Sequence, residues 1–322
     1  MLFRSVGVKV MKDKACPRET YGRALLKAVE EDPRIVALDA DLSGSTMSCF
    51  VRQSYPERYF EMGIGEQNMV AAAVGLALSG KIPFVHSFSI FVTGRAFEQV
   101  RQSVALPRAN VKLVGSSYGF SDFGDGATHQ ALEDVAIMRA IPNMTILSPM
   151  DPAEVEEAVT LARQIEGPVY LRISRSEMEF LPKEIPRKSL LEPSLMADGS
   201  DITVFANGLM TAEALAARST LMEEGISLRV VNVSCLKPLP REMILRWTRD
   251  VRAVITMEEH SVIGGLGAAV LEATALEPKP TFLIGVDDAF GQSAWSHREL
   301  LEHYGLTADA VCNGARTLLK RG

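Results

Sequence analysis

Short β-branched runs alternate along the chain with longer stretches of helical period, the pattern of α/β layers built on a mostly parallel sheet. In the first half the spacing predicts strands over 35–39, 82–85, 111–115, 144–147 and 168–174. Helices are predicted over 18–31, 66–79, 95–106, 131–140 and 152–165. The last of these opens with Asp151-Pro152, an N-cap followed by proline at the first helical position. Between 176 and 200 the period breaks around Pro182, Pro186 and Pro193, which reads as a linker. Alternation then resumes with strands over 202–206, 228–233, 253–257 and 281–284 and helices over 211–224, 241–248, 267–275 and 297–304. The expected fold is α/β in two domains, 1–190 and 191–322, each a mostly parallel sheet with helices on both faces.

Composition narrows the class. A chain of 322 residues suits two domains, and 47% hydrophobic with 23% charged residues excludes disordered and fibrous proteins. A formal net charge of −6 gives no global pull toward nucleic acid or anionic membrane. Cys16, Cys49, Cys235 and Cys312 are scattered without a CxxC, so they read as buried thiols in a reducing compartment. The stretch from Met1 to Lys14 has no continuous apolar core for a signal peptide, and the longest apolar run, 69–78, is half a membrane span. A cytoplasmic protein is expected.

Four segments carry candidate chemistry. In Met62-Gly63-Ile64-Gly65-Glu66-Gln67 a glycine-punctuated turn delivers Glu66 to the first turn of an almost wholly apolar helix. The helix dipole alone would favour a carboxylate there. A helix with no polar face should also be buried, which would desolvate Glu66 and suit it to sharing a proton with a heterocycle nitrogen. Phe88 and Phe91 follow a predicted strand; they read either as core or as a flat aromatic platform at the strand's carboxyl end. The long loop 115–130 holds Asp122, Asp125 and His129 among glycines and serines, a composition suited to a polar binding site. Its Gly124-Asp125-Gly126 is not a metal–diphosphate motif, because 149–154 supplies no distal Asn. The glycines of 264–267, after Glu258-Glu259-His260, read as a structural loop or as an anion nest at a helix start.

Taken in order, GIGEQ, FxxF, GDGATHQ, ILSPMDPAE, ISR, EEHSVIGGLG and DDAFGQS resemble the C-terminal half of the transketolase family of thiamine diphosphate enzymes, from Arg18 to about Tyr304. The resemblance implies a pyrimidine-binding domain followed by the family's C-terminal α/β domain. It implies that Glu66 hydrogen-bonds N1′ of the aminopyrimidine and favours the imino tautomer, whose nitrogen takes the thiazolium C2 proton. The carbanion chemistry belongs to the cofactor. Phe88, Phe91 and Asp41 match residues lining the pyrimidine pocket, and Asp125 and His129 match contacts to the hydroxyls of a ketose donor. Arg18, Ser45 and Arg175 fall where transketolases hold a sugar phosphate.

Two departures stand out: Gly94 replaces a usual tyrosine, and Ser117 replaces a usual histidine. Only 17 residues precede Arg18, too few for the family's diphosphate-binding domain. The resemblance therefore implies the small subunit of a split transketolase, transferring a two-carbon ketol unit between sugar phosphates in an α2β2 assembly. The partner chain would bind the diphosphate through Mg²⁺, with no metal held here. The beta subunit of a 2-oxoacid dehydrogenase first component, and a non-catalytic assembly module of the same fold, are the alternatives. A further relative, 1-deoxyxylulose-5-phosphate synthase, shares GxxEQ on one longer chain.

Overall fold

The computed structural model describes residues 14–320, except Ile185, Arg187 and Lys188. The stretch from Met1 to Asp13, expected to lack a signal-peptide core, lies outside the described residues. The strands in chain order are β1 (Lys14–Ala15), β2 (Ile35–Asp39), β3 (Tyr59–Glu61), β4 (Ile82–Phe88), β5 (Lys112–Ser116), β6 (Thr145–Leu147) and β7 (Val169–Ile173). After them come β8 (Met178–Glu179), β9 (Ser194–Ala197), β10 (Ile202–Ala206), β11 (Leu228–Asn232), β12 (Cys235–Lys237), β13 (Ala253–Ser261) and β14 (Thr281–Val286). They form a seven-stranded sheet of order β12-β6-β7-β5-β4-β2-β3, a five-stranded sheet of order β14-β13-β10-β11-β9 and a small β1–β8 ribbon.

The large sheet is parallel apart from β12, and the smaller one is parallel apart from β9. Helices Pro17–Glu31 and Pro152–Gln164 cover one face of the large sheet with Tyr21, Leu25, Val155 and Val159. The other face merges with the second half of the chain, where Val85, Leu113 and Ile146 share a core with Phe205, Val231 and Leu266. From β2 the chain moves outward to β3 and then returns to the far side of β2 as β4. Such a reversal is the switch point beyond whose strands' carboxyl ends, here β2 and β4, parallel α/β sheets place ligands.

Several elements depart from the sequence-based expectation, each for a physical reason. β4 runs three residues past its expected end because its polar residues His86 and Ser87 are buried with partners rather than exposed. The stretch expected as a linker contains β9, whose four residues are all buried but too few to show a period. β12 leaves the second half to pair antiparallel with β6, so the large sheet draws a strand from beyond residue 190. The helix Ala308–Lys320 has no counterpart among the predicted elements; Val311, Ala315 and Leu318 repeat at helical spacing and are buried. The expected helix over 95–106 is present in a widened form, with π-helical turns at Phe91–Arg95 and Val100–Ala105 on either side of a short α-helical turn, Phe97–Gln99. Cys235 and Cys312 are buried as expected, whereas Cys16 and Cys49 are half-buried; all four are free thiols. Among the described residues no helix is long and apolar enough to cross a membrane.

Buried polar groups tie the two halves together. Arg172, wholly enclosed, donates to both oxygens of Asp134 at 2.8 and 3.0 Å, and Tyr170 donates to the same carboxylate at 2.6 Å. Its guanidinium lies 4.0 Å above the Tyr118 ring and also reaches the Glu259 carbonyl. Removing one partner of such a pair strands the other charge in the interior. Arg172→Leu should therefore lower unfolding free energy by about 3–5 kcal/mol in urea titration, and adding Asp134→Leu should recover part of that loss. A strictly additive double variant would contradict the pairing.

Beside β2, His86 Nδ1 sits 2.8 Å from the Leu38 carbonyl and so carries the ring proton, leaving Nε2 to accept from the Tyr21 hydroxyl at 2.7 Å. Burial pushes His86 down to about 4. The unfolded chain takes up this proton near pH 6.5 and the folded chain only near pH 4, so the His86 contribution is complete above pH 6.5 and is lost on acidification. Neighbouring Asp39, pushed up to about 6 by burial, titrates with the opposite sign. The cost of His86→Gln should thus be greatest near pH 7 and shrink by up to about 3 kcal/mol toward pH 4, read by denaturant unfolding across that range. A pH-independent cost would contradict the neutral buried imidazole.

Candidate active site

Four of the expected site residues converge at the carboxyl edge of the large sheet. Gly65 breaks the chain just before the helix Glu66–Leu78, placing Glu66 in its first turn. The carboxylate is only 1% exposed; it accepts from the Ser87 hydroxyl at 3.1 Å and from Arg95 Nη1 at 2.7 Å. Arg95 in turn lies 4.5 Å from the centre of the Phe91 ring. Phe88 and Phe91 stack at 6.1 Å with 19° between their planes, and His129 meets both edge-on, at 6.1 and 5.3 Å. One cluster thus joins β4, the wide turn after it and the loop after β5.

Glu66 is buried, as the apolar helix leads one to expect, and it is also ion-paired. Arg95 is a partner of Glu66 that the sequence does not announce, because only the wide turn at Phe91–Arg95 aims it there. The helix after Glu66 is also not wholly enclosed. Met69, Val70 and Ala73 face the core, while Ala71 and Gly75 are exposed and Leu78 is 79% exposed. Its lack of a polar face reflects an apolar outer stripe.

The remaining expected residues lie at the start of the helix Pro17–Glu31 and in the segments after β2, β5 and β7. Asp41 follows β2 in a left-handed conformation (φ 62°), is exposed, and donates its backbone N–H to Glu61. The loop it begins is pinned by buried Asp39, which accepts from Leu42 N–H and from the hydroxyls of Thr46 and Ser48 at 2.6–2.8 Å. Arg18 and Ser45 do meet, but through the Ser45 carbonyl at 2.9 Å; Arg18 Nε is buried without a hydrogen-bond partner. Arg175, just past β7, is ion-paired: its Nη1 lies 3.0 Å from both oxygens of Asp122, with Asp125 beside that carboxylate. Gly94 is exposed, and an added Cβ there would meet nothing within 4 Å. Ser117 (φ 58°) keeps a buried hydroxyl without a partner.

The second half props up the loop over 115–130. Glu259 Oε1 accepts from Phe120 N–H at 2.6 Å and lies 2.8 Å from His297 Nε2. Gln130 donates to the Gln292 carbonyl and Ala294 N–H to Phe123. The glycines of 264–267 form the nest considered from sequence, and the protein fills it itself. Glu258 accepts from Leu266 and Gly267 N–H at 2.6 and 2.8 Å, so close to Gly265 that no side chain fits there. Among the described residues no group of three or more His, Cys, Asp or Glu side chains is arranged to hold a metal ion.

With this geometry in place, comparisons with known proteins agree along the chain. The family model for the transketolase pyrimidine-binding domain matches residues 14–179, and that for the transketolase C-terminal domain matches 194–311. A putative transketolase C-terminal section of Methanocaldococcus jannaschii is 40% identical over 308 residues, covering 94% of this chain and 96% of that one. The 6-deoxy-6-sulfo-D-fructose transketolase subunit SqwH of a Clostridium strain is 41% identical and covered to 94% on both sides. Human transketolase is 36% identical over 96% of this chain but only 50% of its own length. A solved structure described as a split gene transketolase, inactive beta4 tetramer, superposes with a TM-score of 0.83 at 43% identity, covering 95% of this chain and 98% of that one. The chain belongs to the transketolase family and carries its pyrimidine-binding and C-terminal domains.

Proposed function

We propose that this chain is the small subunit of a two-chain, thiamine diphosphate-dependent transketolase that moves a two-carbon ketol unit between sugars. The observation that carries the reading is the enclosed Glu66 carboxylate, fixed by Ser87 and Arg95 beside the Phe88–Phe91 pair. These residues fit an aminopyrimidine: one desolvated acid for a ring nitrogen and two flat apolar walls. When bound, thiamine diphosphate supplies the carbanion chemistry.

The chain's own residues have defined tasks in this reading. Glu66 holds the proton at N1′, and Arg95 with Ser87 fixes the carboxylate's direction. Phe88 and Phe91 exclude water from the ring, with Asp41 on the neighbouring loop closing the pocket. Asp125 and His129 hold hydroxyls of the ketose; His129 already leans on both phenylalanines. Arg18 and Ser45, one beside the other, and Arg175 are candidates for holding the far end of the sugar.

A partner chain is part of the proposal. The relatives covered almost end to end are named as a C-terminal section or a subunit, whereas human transketolase is matched over half its length. The Gly124-Asp125-Gly126 turn lacks the distal Asn needed to hold a metal–diphosphate. The partner would therefore bind the diphosphate and Mg²⁺, in a reducing cytoplasmic setting and an α2β2 assembly. Related proteins named for sulfofructose and for apulose 4-phosphate leave the sugar to be identified by experiment.

Two outcomes test the reading. The purified chain alone should show no ketol transfer from hydroxypyruvate, and adding the diphosphate-binding subunit should restore it; full activity without the partner would contradict the split site. In the reconstituted enzyme, Glu66→Gln should lower kcat by about 10²–10⁴-fold, since it removes the positioned acid but keeps the side chain's shape. Wild-type turnover would remove Glu66 from the proton path.

A further inference from the structure

Asp122 lies in the loop that carries Asp125 and His129, yet neither the cofactor pocket nor the hydroxyl contacts use it. Its side chain is 3% exposed, and both of its oxygens sit 3.0 Å from Arg175 Nη1. Burial and the adjacent Asp125 push its carboxyl up, against the pull of Arg175. The Arg175 side chain is 38% exposed. The local charge is therefore one guanidinium against two carboxylates. Arg175 can still donate hydrogen bonds from its open edge, but its positive charge is already compensated inside the chain.

We infer that Asp122 is a specificity-determining residue: by neutralising Arg175 it turns the far end of the sugar site against a dianionic phosphate and toward ketoses ending in a hydroxyl or a singly charged group. The inference rests on the ketol-transfer reading and specifies its substrate class. A doubly charged terminus that approaches Arg175 must also approach Asp122 and Asp125, and like charges so placed repel. A sulfonate carries half that charge and a hydroxymethyl none, so both keep the arginine's hydrogen bonds with less repulsion. Discrimination thus comes from a repulsive element rather than from an added contact.

The test uses the reconstituted two-chain enzyme with three ketol donors of one carbon skeleton: D-fructose, 6-deoxy-6-sulfo-D-fructose and D-fructose 6-phosphate. Asp122→Asn keeps the shape and an acceptor for Arg175 while removing the charge. It should raise the ratio of kcat/KM for the phosphate over the sulfonate by about ten-fold or more, chiefly through KM. Arg175→Ala should erase that gain in the Asp122→Asn background and move the ratio little in the wild-type background. Asp122→Ser should repeat the shift if Asp122→Asn folds poorly. Binding of inorganic phosphate to the same enzymes, by calorimetry, should tighten in the Asp122 variants, a readout independent of turnover. Unchanged ratios and unchanged phosphate binding overturn the inference while leaving ketol transfer standing. Absence of transfer from hydroxypyruvate and from all three donors overturns the functional reading, and phosphate binding then decides the charge argument alone.

Discussion

The site depends on one carboxylate kept out of water and still held in a fixed direction. Burying a carboxylate without partners is costly, and the group would escape by turning to solvent or by taking a proton. Here Ser87 and Arg95 supply those partners from the strand and turn that also present Phe88 and Phe91. Clamp and aromatic walls therefore share one short stretch of backbone, 87–95, facing the acid in the first turn of the helix Glu66–Leu78. A shift in that stretch would move all of them together.

A second constraint comes from the other half of the chain. The loop after β5, which brings Asp125 and His129 to the site, is long and rich in glycine and serine, and such loops are mobile unless tied down. It is tied by Glu259, Gln130 and the segment around Gln292, all acting across the junction between the sheets. Below it, the enclosed Arg172–Asp134 pair fixes the end of β7 and the helix Asp134–Ala140. The C-terminal half thus contributes to the site by holding its loop, although its own glycine turn is filled by Glu258.

Much of this was legible in the sequence where one residue type carried the signal. Alternating periods revealed the layers, and Gly65 before Glu66 revealed a carboxylate at a helix start. The FxxF pair and the GDGATHQ loop marked the two segments that the fold does bring together. What escaped reading depended on contacts between distant positions. Arg95 looked like a helix start until the wide turn aimed it at a residue 29 positions earlier. Nothing in the sequence announces that Arg175 pairs with a carboxylate 53 residues upstream. β4 and β13 looked shorter than they are, since buried polar residues such as His86 and Glu259 read as strand ends. β12 could not be assigned to the large sheet because three residues hold no information about which edge they join.

The most direct measurement of the central claim is a crystal structure of the two-chain complex with thiamine diphosphate bound. The account predicts a Glu66 carboxylate oxygen within hydrogen-bonding distance of the aminopyrimidine N1′, about 2.6–3.0 Å, with the ring against Phe88 and Phe91 and its diphosphate in the partner. An aminopyrimidine seated elsewhere, or a Glu66 side chain turned to solvent with the cofactor in place, would contradict it.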